Sequence, residues 1–102
     1  MNPIIKNRIP ELTRLCQKYR VATMYVFGSA NTDSFNENSD IDFLISFKKE
    51  VTLEEYADNF FDLMFELEDL LGRDVDLVTE KSLSNPYFIR SVEQTKQLIY
   101  AA

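Results

Sequence analysis

Between Asp40 and Phe47 the chain spells a strand with apolar side chains on both faces: Ile41, Phe43 and Ile45 on one, Leu44 on the other. A strand that is dry on both sides needs cover on both sides, so it belongs in the middle of a sheet with helices packed over it. The neighbouring text supplies the rest of such a layer. Val21 to Phe27 is rich in β-branched and aromatic residues and predicts a second strand, and Val75 to Val78 predicts a short third one. Between them lie helical patterns. Leu12, Leu15, Cys16 and Tyr19 fall at i, i+3, i+4 and i+7, with Pro10 in the first turn and Ile5 and Ile9 in a lead-in turn. From Val51 to Leu71, the residues Leu53, Ala57, Phe60, Met64, Leu67 and Leu71 recur at helical spacing. Thr52 with Glu55 resembles a capping box there, and Gly72 stands where a C-terminal glycine belongs. Asn85-Pro86 predicts the start of a final helix, with Phe88, Ile89, Val92 and Ile99 as its buried stripe. The expected fold class is α/β (α+β): a small mixed sheet of about three to four strands packed with helices. The 102 residues fit one domain, 1–102.

Composition removes whole classes of chemistry. The chain has no histidine, which excludes Ser-His and Cys-His catalysis and imidazole metal sites. Cys16 is its one cysteine, so no internal disulfide can form. Carboxylates are the metal ligands present in number, and they favour Mg²⁺, Mn²⁺ or Ca²⁺. The formal charge of −6 repels phosphate backbones, so direct nucleic-acid binding is not expected. A bound divalent cation can still reverse the sign locally. No basic start leads into an apolar stretch, and no apolar run nears the roughly 20 residues that cross a bilayer. A cytoplasmic protein with no membrane contact is the expectation.

Within Ser39-Asp40-Ile41-Asp42 two aspartates stand at i and i+2, a spacing that points both to one face of a strand. Two carboxylates about 4 Å apart repel by several kcal/mol at an effective dielectric of ~20, and a divalent cation relieves this. The chemistry that needs such a pair is phosphoryl or nucleotidyl transfer. Asp76 lies between Val75 and Leu77 in the third predicted strand, where burial would make its charge costly unless paired or metal-bound. If that strand neighbours the second, Asp76 faces the pair and could ligate a metal or take a proton from an attacking hydroxyl. Asp74, two residues earlier, is a rival for the role. Gly28-Ser29 ends one strand and opens a short helix over the polar stretch that follows. Glycine admits a phosphate close to the backbone, and a helix N-terminus offers it free N–H groups.

Gly28-Ser29, ten residues, Asp40-Ile41-Asp42 and the later Val75-Asp76-Leu77 together resemble the signature of the DNA polymerase β-like nucleotidyltransferase superfamily. The match is to its short single-domain branch, the minimal nucleotidyltransferases, and it runs from about Leu12 to Tyr100. The resemblance implies a nucleotidyltransferase fold and two Mg²⁺ ions held by Asp40, Asp42 and Asp76, with ATP as substrate. It implies that Gly28, Ser29 and Ser39 hold the triphosphate, and that Asp76 completes the site activating the acceptor. Many relatives carry Arg-Gly two residues after the Gly-Ser turn; here Thr32-Asp33 stands there. Short members are often antitoxins to HEPN toxins, and some transfer AMP to a tyrosine of that partner. The implied function is such an AMP transfer within a hetero-oligomer. The alternatives are a non-catalytic antitoxin that blocks its toxin by complex formation, and transfer to a small molecule.

The long helix carries a further signal. Glu54, Glu55, Asp58, Asp62, Glu66, Glu68 and Asp69 lie on it with no Lys or Arg among them. Phe61 and Phe65 fall at the edge of its apolar arc. An apolar rim beside acidic charge could meet a basic partner; an ordinary solvated face with a broad core stripe is the competing expectation.

Overall fold

The computed structural model describes residues 1–102. Helices α1 (Pro3–Lys6) and α2 (Ile9–Lys18) lead into strand β1 (Val21–Phe27). A 3₁₀ turn, Gly28–Asn31, and a loop follow, then β2 (Ile41–Phe47), the long helix α3 (Leu53–Leu71) and β3 (Val75–Thr79). A short 3₁₀ turn, Glu80–Ser82, precedes α4 (Pro86–Thr95) and β4 (Gln97–Ala101).

The sheet order is β3-β2-β1-β4. β2 pairs antiparallel with β1 and parallel with β3, while β4 pairs antiparallel with the other edge of β1. The mixed sheet and the central place of β2 agree with the expectation. Ile41, Phe43 and Ile45 enter a large core with Leu12, Cys16, Val26, Leu63 and Leu67 from β1, α2 and α3. Leu44 points the other way and packs with Phe27 and with Val92 of α4. Truncating a fully buried leucine such as Leu67 to alanine would cost ~2–5 kcal/mol.

Local chemistry sets the helix ends. The Glu55 amide donates to Thr52 Oγ1 at 3.2 Å, and Gly72 closes α3 in the left-handed region at φ 66°. Asn85 caps α4 by accepting from the amides of Tyr87 and Phe88. No helix is long and apolar enough to cross a membrane.

Three expectations are corrected. The final helix stops at Thr95, and Ile99 lies on β4 instead of on a helical stripe. The open edge of β1 offers unpaired backbone groups, and Gln97–Ala101 gains ladder hydrogen bonds there that a lone helical turn would not supply. On α3 the buried positions are Leu63 and Leu67; Leu53 is 90% exposed and Ala57 is exposed, because the buried face centres on Leu63 and Leu67, to one side of the stripe that the spacing marks. Asp76 is exposed, not buried: its neighbours Val75 and Leu77 face the core, and the alternation of β3 turns Asp76 outward.

Candidate active site

The strand register gathers the predicted carboxylates. Asp42 of β2 stands opposite Asp76 of β3 across the parallel pair, and opposite Phe27 of β1 on its other side. Asp40 immediately precedes β2. The Asp42 carboxyl is pushed up to about 6, first by its own burial, then by the charges of Asp76 and Asp40. The rival Asp74 precedes β3; its backbone carbonyl accepts the Ile41 amide at 3.1 Å, and it lies outside the paired register that sets Asp76 opposite Asp42. The three aspartates are not drawn into a closed cluster able to hold an ion unaided. Such a donor set suits Mg²⁺, which is usually bound by one or two carboxylates together with substrate phosphates and water.

Gly28 is set directly against Asp42. Its φ of 72° lies in the left-handed region, and a β-carbon there would collide with Asp42 Oδ2. Two independent constraints therefore demand glycine at the turn. The expected helix N-terminus is a single 3₁₀ turn, and one of its amides is already taken: Gly28 N donates to Thr95 Oγ1 at 2.9 Å. Thr95 Oγ1 in turn donates to the Ser91 carbonyl. Asn31 Nδ2 donates to the carbonyls of Val26 and Thr95 at 3.1 and 2.7 Å. The end of α4 thus braces the Gly-Ser turn. Neither Thr95 nor Asn31 was anticipated, because each acts through a partner more than sixty positions away along the chain.

Ser29 is partly exposed at this turn, and its carbonyl accepts from the amide and hydroxyl of Thr32. Ser39 Oγ accepts the Asn36 amide, so its hydroxyl shapes the loop before Asp40. Arg73 ties that loop to β3, donating to the carbonyls of Asn36 and Ser39 and lying 4.7 Å from the Phe35 ring centroid. The sequence offered no signal for Arg73 beyond its position before β3.

The α3 face is partly self-satisfied. Glu66 accepts from Lys18 and from the Tyr19 hydroxyl, Glu55 pairs with Arg20 at 2.9 Å, and Glu68 accepts the Val75 amide. Glu54, Asp58, Asp62 and Asp69 stay exposed around Phe61 and Phe65, which are 51% and 59% exposed.

A mixed sheet with a glycine-serine turn set against paired strand carboxylates defines the nucleotidyltransferase class. The nucleotidyltransferase domain profile matches residues 12–99, and the chain belongs to that family. Two proteins of Methanocaldococcus jannaschii, carrying the provisional name protein adenylyltransferase, are 40% and 41% identical to it over 86 residues. Each alignment covers 84% of this chain and 82% of the relative. A solved minimal nucleotidyltransferase is 32% identical, with a TM-score of 0.69, covering 90% of this chain and 89% of the other. A toxin–antitoxin complex solved with AMP-PNP contains a chain with a TM-score of 0.71 at 22% identity, covering 92% and 73%. A complex of a tri-AMPylated Shewanella oneidensis HEPN toxin with an MNT antitoxin gives 0.67 at 19%, covering 96% and 73%. At these identities the two complexes share the fold. By family this chain is a nucleotidyltransferase enzyme.

Proposed function

We propose that this chain is a Mg²⁺-dependent protein adenylyltransferase that moves AMP from ATP to a hydroxyl, a tyrosine, of a HEPN toxin and so acts as its antitoxin. The observation that carries the reading is the registration of Asp42 beside Asp76 with Gly28 pressed against Asp42. That arrangement concentrates negative charge beside the Gly-Ser turn. Two Mg²⁺ ions, when bound by Asp40, Asp42 and Asp76, supply charge balance for the phosphates and activation of the acceptor hydroxyl.

The chain's own residues supply the rest. Gly28, lacking a side chain, lets Asp42 pack against the turn that the triphosphate meets, and the partly exposed hydroxyl of Ser29 can donate to the triphosphate. Ser39 holds the loop that presents Asp40. Asp76, exposed on its edge strand opposite Asp42, receives the proton from the attacking hydroxyl in this reading. The acceptor oxygen bonds to the α-phosphorus, the bond to pyrophosphate breaks, and pyrophosphate leaves with its electron pair. The names of the M. jannaschii relatives support protein as the acceptor, and the two toxin–antitoxin neighbours support a HEPN partner.

A second reading is occlusion without turnover. It is favoured by Thr32-Asp33: Thr32 bonds back to Ser29 and to Ser34, so the position given to Arg-Gly in many relatives puts no cation beside the turn. Co-expression with the HEPN partner separates the two. Catalysis predicts that Asp40→Asn/Asp42→Asn loses neutralisation while still co-purifying with the toxin. Neutralisation retained in full by that variant would overturn the catalytic reading in favour of occlusion.

A further inference from the structure

The two parallel strands place the carboxylates at one end of the sheet and an opposite charge at the other. Asp42 and Asp76 lie near the beginnings of β2 and β3; Lys48, Lys49 and Lys81 follow their ends. At about 3.3 Å per residue the two groups are roughly 20 Å apart. Between the strand ends and α3 is a cavity of about 170 Å³, lined by these three lysines with Ser46, Tyr56 and Thr79. At about 10–15 Å³ of such space per water it holds several waters, room enough for a phosphate group and part of what carries it.

What sets these lysines apart is that they share one cavity. Four of the 11 cations, Arg8, Lys18, Arg20 and Lys96, have a carboxylate partner in this acidic chain. Lys48, Lys49 and Lys81 have none within ion-pair distance, and all three line the same cavity. Three like charges around one concavity favour an anion there. A second observation points the same way. Thr79, the one buried polar residue, is 8% exposed and lines the cavity. Its carbonyl accepts from Ser82, yet its own hydroxyl has no partner in the chain. That hydroxyl is not a fully buried orphan; it reaches the water of the cavity and is free to donate to a ligand there. Tyr56, held edge-on to Phe47 with centroids 5.0 Å apart, adds an aromatic wall. Glu80 is the only carboxylate of the lining, and its charge also acts on Lys96.

We propose that this cavity is a second ligand site, remote from the aspartates, for a small phosphate-bearing molecule. The lysines supply point charges, Thr79 a directed hydroxyl donor, and the Tyr56–Phe47 pair a surface for the group attached to phosphate.

The test uses the full chain, isotope-labelled, without Mg²⁺ or ATP and at constant ionic strength set with chloride. Amide resonances are followed while inorganic phosphate, and separately AMP, are titrated in. The expected result is saturable shifts confined to Ser46–Lys49 and Thr79–Lys81, with AMP binding more tightly than phosphate. Lys49→Gln/Lys81→Gln should weaken binding at least tenfold. Thr79→Val, which keeps the shape, should weaken it severalfold without lowering the melting temperature. Asp42→Asn should leave these shifts unchanged, which separates this site from the transferase reading. Shifts confined to the Gly28–Ser29 turn, an unchanged Kd in the double lysine variant, or binding of single-stranded RNA but of neither small probe would overturn the proposal.

Discussion

A carboxylate oxygen of Asp42 occupies the space that a side chain on Gly28 would need. The turn and β2 are therefore fitted to each other, and the positive φ of Gly28 adds a second barrier to substitution. Gly28→Ala should destabilise the fold by about 1–2 kcal/mol from backbone strain alone. It should also displace Asp42 and cut nucleotide transfer at least tenfold. Adding Asp42→Ala to the glycine variant should recover part of the lost stability, because the collision goes. Thermal melts of the four proteins of that cycle measure the coupling.

Asp42 links stability to pH. Its folded-state carboxyl sits at about 6, above the ordinary 3.8, mainly because it is partly buried. A raised carboxyl stabilises the fold below its unfolded value, and that contribution is lost as pH rises through about 6. Asp42→Asn mimics the protonated acid at every pH. In metal-free buffer at pH 7.5 the variant should melt higher than wild type by roughly 1 kcal/mol, reduced by solvent screening at a half-exposed group. The difference should vanish below about pH 4. A variant no more stable at pH 7.5 would show that Asp42 is not under electrostatic strain.

Thr95 is expected to act as a brace. Thr95→Val keeps the volume but leaves the Gly28 amide without its acceptor, which should cost ~1–3 kcal/mol. Thr95→Ser should restore most of it. Denaturant midpoints compare the three chains, and transfer activity should follow the same order.

Phe61 and Phe65 stand exposed among four free carboxylates on α3. If this face meets the toxin, Phe65→Asp should weaken complex formation at least tenfold while leaving the melting temperature within a few degrees. Unchanged affinity by calorimetry would remove this helix from the interface.

Much of this architecture could be read before the coordinates. The doubly apolar run Ile41–Ile45 announced a central strand, and the Thr52 cap and Gly72 bounded α3 within a residue. These are local signals, carried by patterning and by turn chemistry. β4 was missed because its five residues, Gln97–Ala101, have no strong alternation and are recruited by the free edge of β1. Ile99 falls seven residues after Val92, so helical spacing claimed it. The apolar neighbours of Asp76 suggest burial, but strand alternation turns it to the face opposite Val75 and Leu77. The pairing of Asp42 with Asp76 was legible only conditionally, since it required β3 to lie beside β2. Thr95, Asn31 and Arg73 were not legible at all, because long-range hydrogen bonds leave no periodic trace.

The most direct test incubates the purified chain and its HEPN partner with Mg²⁺-ATP and weighs both proteins intact. The account predicts that the partner gains the mass of one or more AMP units on tyrosine, that pyrophosphate is released, and that both disappear with Asp42→Asn or with chelator. A partner of unchanged mass, or one modified equally well by Asp42→Asn, would contradict it.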